Sequence, residues 1–156
     1  MFNSEREMQN IFISLLKKRK TCGNIFEEVG NRNYFFRTDV VEYKSKTEII
    51  AYELKLRDFK KLIKQLIFTM SIYDKNYAVI LENMKDNFFK IFNTFPDKRK
   101  EKIGIIIINR EKYKIIKFPQ KDSTRNYQDK WNVILIPDLI IRGYYKKGIN
   151  GCKSYK

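Results

Sequence analysis

Asp39 and, fourteen residues later, the run Glu53-Leu54-Lys55 are the residues of this chain whose types and spacing could do chemistry. A carboxylate, then a carboxylate and a lysine two apart, are the groups that a magnesium-dependent phosphodiester cleavage needs. Magnesium takes one or two carboxylates, keeps several waters and completes its shell with substrate phosphate. A lysine beside it can orient or help deprotonate the attacking water, or stabilise the negative transition state. The chain has no histidine, which excludes Ser-His and Cys-His hydrolases, HExxH zinc proteases and nucleases with an imidazole base. Hydrolytic chemistry here would run on carboxylates, lysine, tyrosine and metal-bound water.

Both ends of the constellation lie in strand-like sequence. Side chains alternate faces along a strand, so Ile49, Ala51, Glu53 and Lys55 share one face, and Phe35, Arg37, Asp39 and Val41 form a set on the preceding strand. A three-residue turn at Ser45 to Thr47 would set Asp39 directly opposite Glu53, with Cβ atoms roughly 5 Å apart. Like charges so placed repel, and nothing in a plain sheet favours them. A divalent cation between them reverses the sign of that interaction.

A plain structural alternative exists, because a lysine-rich chain produces Glu-x-Lys triplets by chance. Glu42-Tyr43-Lys44 is a second one. The triplet at Glu53 stands apart through its company: an aspartate at matching register on the neighbouring strand, apolar residues on both faces, and a basic helix directly after it.

The elements that must position these residues follow from periodicity. From Ser4 to about Lys18 the apolar stripe Met8, Ile11, Phe12, Leu15 and Leu16 predicts an amphipathic helix. Ser4 and Glu7 would form its capping box. Glu5 shares the inward face with Met8, Phe12 and Leu15; its alternative role is to complement the helix dipole. Strands are expected over Asn24 to Val29, Tyr34 to Tyr43 and Thr47 to Leu56, with hairpin-length breaks at Gly30 to Asn33 and Lys44 to Lys46. Arg57 to Tyr73 reads as a helix with Lys60, Lys61 and Lys64 on its outer side. Tyr77 to Leu81 reads as a strand, Glu82 to Phe95 as a helix closed by Pro96, and Ile103 to Ile108 as a strand buried on both faces. Tyr113 to Phe118 and Trp131 to Ile136 are further strand candidates, and Pro137 to Arg142 a short helix. This order predicts an α/β fold, a mixed β-sheet flanked by helices. Residues 1–142 are expected to form one domain and 143–156 a loose basic tail.

The formal net charge is +15 over 156 residues, a field that favours a polyanionic partner, nucleic acid or an anionic membrane surface. Lysine outnumbers arginine 24 to 9, which also fits an A/T-rich codon bias with no functional cause. No apolar run reaches the ~18 residues of a membrane span, and the first ten residues lack a signal-peptide core. Cys22 and Cys152 are too few for a disulfide framework or a four-thiolate zinc site, so a cytoplasmic protein is expected.

The pattern Asp39 … Glu53-Leu54-Lys55 resembles the signature of the PD-(D/E)xK, or restriction-endonuclease-like, nuclease superfamily. The element order from Ser4 to Leu81 resembles that family's α-β-β-β-α-β core. The resemblance implies that Asp39 and Glu53 bind Mg2+ or Mn2+ and that Lys55 assists the water. It also implies that a glutamate of the first helix, Glu5 before Glu7, joins the metal site, and that Gln65 corresponds to a glutamine several branches carry on the following helix. Gln65 reads equally as a surface polar residue of an amphipathic helix. Thr38 stands where the family name has proline, at a position that varies. The implied activity is metal-dependent endonucleolytic cleavage, most readily of DNA, with Lys60, Lys61 and Lys64 holding the phosphate backbone. A non-catalytic nucleic-acid-binding protein on the same fold is the alternative reading, and a basic structural protein a third. DNA against RNA, the specificity of cleavage and the assembly, a homodimer included, stay open.

Overall fold

The computed structural model describes residues 2–30, 37–45 and 47–121. Helix α1 spans Glu5–Lys17, and the Ser4 hydroxyl at its N-cap accepts from the Glu7 N–H at 3.1 Å. Only this half of the expected capping box forms. The Glu7 carboxylate accepts instead from the Asn3 N–H at 3.3 Å, one residue further out. The apolar stripe is buried as its periodicity requires, with Met8, Phe12, Leu15 and Leu16 in the core.

Strands β1 (Asn24–Gly30), β2 (Arg37–Ser45), β3 (Glu48–Leu54), β4 (Lys75–Leu81), β5 (Gly104–Ile108) and β6 (Tyr113–Lys117) form one open sheet in sequence order. The sheet is mixed. β1–β2, β2–β3 and β5–β6 pair antiparallel, while β3–β4 and β4–β5 pair parallel. A parallel pair needs a crossover. α2 (Phe59–Thr69) supplies the first; a 3₁₀ turn at Glu82–Met84, α3 (Lys85–Thr94) and a second 3₁₀ turn at Lys98–Lys102 supply the next. Two crossovers of one hand stepping the same way across a sheet must lie on the same face. Accordingly α2 and α3 pack on Ala78, Ile80, Ile105 and Ile107, and α1 covers the other face over Val40, Tyr52, Leu54, Val79 and Ile106. β4 and β5 are thereby sandwiched, which is why their sequences are continuously apolar.

The helices are shorter than their apolar periodicity suggests. α2 starts at Phe59 because Asp58, at φ 23°, turns the chain and caps the helix by accepting from the Lys61 N–H at 3.3 Å. Beyond Thr69 the chain leaves the helix through a tight turn in which the Ile72 N–H bonds the Thr69 carbonyl. Gly104 interrupts an isoleucine strand for steric reasons. A Cβ there would come within 2.6 Å of the Tyr77 ring and 2.8 Å of Pro119.

Between α1 and the sheet, Glu42 is fully buried and fully partnered. Its carboxylate takes a 2.7 Å ion pair from Arg19, a 2.6 Å hydrogen bond from the Tyr52 hydroxyl and a 2.8 Å bond from the Gly23 N–H. The second Glu-x-Lys triplet is therefore structural, with its glutamate on the α1 side of the sheet. The expected elements at Trp131–Ile136 and Pro137–Arg142 and the basic tail lie outside the described residues.

Candidate functional site

β2 and β3 pair as Val40↔Tyr52, Val41↔Ala51, Glu42↔Ile50 and Tyr43↔Ile49 before a bulge near Ser45. Continuing that register sets Asp39 against Glu53, as the short turn implies. Glu53 also pairs with Ala78 of β4, so it points to the α2 face, where the small alanine leaves it room. The backbone ladder between β2 and β3 stops at Val40 and Tyr52. Beyond it, side chains take over: Glu53 Oε1 accepts from the Asp39 N–H at 3.1 Å and Asp39 Oδ2 accepts from the Leu54 N–H at 2.9 Å. Each carboxylate is fixed by the other strand's main chain.

Electrostatically the pair is strained. Glu53 is 3% exposed, and neither acid takes part in an ion pair among the described residues. Burial is the largest effect on Asp39, with a further push from the charge of Glu28, and raises its pKa to about 6. Burial and then the negative charge of Asp39 push Glu53 well above the usual carboxylate range. The backbone donors and the positive charge of Lys55 work against these effects on both acids. The two titrate as a unit, and without a cation one of them retains a proton towards neutral pH.

Lys55 lies one residue past the end of β3, its N–H bonded to the Val79 carbonyl at 3.3 Å. Its Nζ lies 3.4 Å from Glu5 Oε1, and Glu5 Oε2 accepts from the Leu56 N–H at 3.1 Å. The first turn of α1 thus reaches the end of β3, and Glu5 is the glutamate that does so. Glu7 is held elsewhere, by Asn3 and Arg110. Glu5 meets Lys55 and the backbone beyond it, with no hydrogen bond to Asp39 or Glu53. Gln65 is half-buried on α2, with its Oε1 buried and lacking a hydrogen-bond partner among the described residues. No hydrogen bond joins it to the acidic pair either. Lys60, Lys61 and Lys64 are all exposed along α2. Thr38 is buried with its hydroxyl 2.9 Å from the Tyr73 hydroxyl.

Two neighbours were not singled out from sequence. Glu28, between the pairs Glu27↔Val40 and Val29↔Thr38, occupies the register position opposite Asp39 and adopts φ 52°, a conformation uncommon outside glycine. The consecutive Glu27-Glu28 inside an otherwise apolar strand is its signal, because alternation forces one of two adjacent acids onto each face. Gln9 is buried on α1 and donates from Nε2 to the Asp39 carbonyl at 3.3 Å and to Glu27 at 3.2 Å. A glutamine directly beside Met8 in the buried stripe marks it.

The donor set suits a hard divalent cation in part. Two carboxylates crowded together without a paired cation are what magnesium binds. Among the described residues no group of three or more His, Cys, Asp or Glu side chains is gathered around one point.

No family model and no curated protein matches the chain. Among solved structures it is similar to a protein of unknown function from Silicibacter pomeroyi, with 14% identity and a TM-score of 0.56, over 78% of this chain and 75% of that one. The likeness concerns the fold alone. No helix among the described residues is long and apolar enough to cross a membrane.

Proposed function

We propose that the chain is a metal-dependent nuclease that hydrolyses phosphodiester bonds, most readily in DNA, on a restriction-endonuclease-like core. The observation that carries the reading is the buried Asp39–Glu53 pair, set on adjacent strands with Lys55 immediately beyond. Burying two like charges side by side costs free energy in any purely structural role, and Glu42 shows how this same sheet satisfies a structural acid: with an arginine, a hydroxyl and an N–H. Asp39 and Glu53 have backbone donors but no paired cation among the described residues.

Asp39 and Glu53 would hold Mg2+ or Mn2+, which when bound would supply neutralising charge for the phosphate and acidify a water. The chain's own residues do the rest. The backbone bonds from Asp39 N–H and Leu54 N–H fix the two carboxylates before any ligand arrives. Glu5 anchors the backbone at Leu56 and draws the Lys55 ammonium to the mouth of the site, so Glu5 acts as a positioning residue for Lys55. Lys55 would orient the water or stabilise the charge that develops on the phosphate. Gln65 brings a buried oxygen without a donor among the described residues, a state that calls for a partner. Lys60, Lys61 and Lys64, exposed on the helix that follows, would hold the backbone of the nucleic acid.

A non-catalytic nucleic-acid-binding protein would share those lysines and have no use for the paired acids. Plasmid, single-stranded and branched DNA incubated with the purified protein, with magnesium and then with chelator, separate the two. Magnesium-dependent cleavage is the expected result.

A further inference from the structure

A groove of ≈ 600 Å³ runs between the second half of α2 and the stretch Phe95 to Lys102 that leads into β5, lined by Lys64, Phe68, Phe95, Arg99 and Lys102 among others. It lies on the sheet face of α2 and α3, away from the β2–β3 ends that carry Asp39 and Glu53. Phe68 is 63% exposed on an otherwise well-packed helix. Three cations face one anion in the groove, Asp97, which Arg99 engages through both carboxylate oxygens. Two other lysines nearby are engaged by the fold. Lys100 donates to the last carbonyls of α3, Phe92 and Asn93, and Lys117 donates to the carbonyls of Glu101 and Ile103. With Arg99 paired to Asp97, the net positive charge of the groove lining rests on Lys64 and Lys102.

We infer that this groove binds a single-stranded segment of nucleic acid, with a base stacked on Phe68 and its flanking phosphates held by Lys64, Arg99 and Lys102. An aromatic face between cations is the combination that single strands use, since every base offers a π-face and the phosphates follow at either side. A duplex offers the groove only its charged exterior and leaves the ring unused. Its volume falls in the range of ligand-binding clefts, and its positive balance complements a polyanion. The inference rests on the proposed nuclease reading and deepens it, because it assigns the substrate an unpaired stretch held at a distance from the bond cleaved at Asp39 and Glu53.

Binding is measured by fluorescence anisotropy with a labelled oligothymidylate of about 20 nucleotides, longer than one such site needs, and with a duplex of equal length. The full chain is used in chelator, so the outcome does not depend on whether Asp39 and Glu53 perform chemistry. Phe68→Ala is expected to weaken oligothymidylate binding by about tenfold, the loss of one stacked base, and to leave the duplex within about twofold. Replacing Lys64, Arg99 and Lys102 by alanine is expected to reduce the salt slope for the single strand by about 2. Unchanged oligothymidylate affinity in Phe68→Ala, or an equal loss on both probes, overturns the inference. So does displacement of polyglutamate in place of oligothymidylate, which would assign an acidic protein partner. A change confined to oligomeric state in sedimentation, with oligothymidylate affinity intact, would assign the groove to a second copy of the chain and overturn it too.

Discussion

Asp39 and Glu53 hold each other's strands. The Glu53 carboxylate accepts from the Asp39 N–H at 3.1 Å, and the Asp39 carboxylate accepts from the Leu54 N–H at 2.9 Å, where the β2–β3 ladder has already ended. The acids are thus fixed by main chain and repelled by one another. Their structural contribution comes from oxygen acceptors and their electrostatic cost from charge. An amide in place of a carboxylate keeps the first and removes the second.

Asp39→Asn is expected to stabilise the metal-free protein. The folded-state pKa of Asp39 is raised to about 6 from 3.8, so the folded state holds its proton after the unfolded chain has released one. Stability then falls as pH rises from about 4 through 6, by on the order of 1–3 kcal/mol. Urea denaturation in chelator at pH 5 and 7.5 should show that fall in wild type and a flatter profile in Asp39→Asn. Parallel profiles in the two proteins would mean that Asp39 is not the group responsible.

Magnesium or manganese should reverse the same cost. A ligand that binds only the folded state at a hundred times its dissociation constant adds ~2.7 kcal/mol. Thermal melts at pH 7.5 are expected to move upward with added metal. The gain should shrink at pH 5, where protons compete for the carboxylates, and vanish in Glu53→Gln. A shift of equal size in Glu53→Gln would place the ion elsewhere.

Glu42 provides the structural counterpart. Glu42→Ala would leave the Arg19 guanidinium and the Tyr52 hydroxyl without their shared partner in the core, a loss of ~3–5 kcal/mol. Denaturant midpoints measure it, and Glu42→Gln should recover a part. A loss below about 1 kcal/mol would show that the network contributes little.

The apolar patterning made the core elements legible, and one short turn between β2 and β3 made the register legible. With that register, Asp39 against Glu53 followed from counting alone. Glu5 was legible as an inward-facing residue of α1, but its actual partners, Lys55 and the Leu56 N–H, depend on how α1 is laid across the sheet, which no local pattern encodes. Glu28 was missed although alternation flags the Glu27-Glu28 pair, because its place opposite Asp39 requires the β1–β2 register as well as the β2–β3 one. Helix ends were overrun for a separate reason. The apolar stripe of α2 continues to Met70 and Tyr73, which are buried in the turn after it, so burial and helicity part company there. The pairing of Glu42 with Arg19 joins residues 23 apart in sequence and has no short-range signature.

The exposed lysines of α2 should govern the strength and salt dependence of binding. Replacing Lys60, Lys61 and Lys64 together by alanine is expected to weaken duplex binding and to lower the slope of log affinity against log salt by up to about 3, one counterion for each phosphate contact. All three side chains are exposed, so folding should survive the change. An unaltered slope would make the cluster a solvated helix face.

The central claim is chemical, and the most direct measurement is cleavage of plasmid and branched DNA by wild type, Glu53→Gln and Lys55→Ala, each with magnesium and with chelator. Glu53→Gln keeps the backbone acceptor but loses a charged ligand, so cleavage should disappear while binding persists or strengthens. Lys55→Ala should bind metal and DNA as wild type does, yet lose most of the rate, on the order of a hundredfold, because its help is given in the transition state. Wild-type cleavage should stop in chelator. Equal cleavage by all three proteins would contradict the assignment of Glu53 and Lys55, and a wild type that cleaves nothing in magnesium or manganese would contradict the nuclease reading itself.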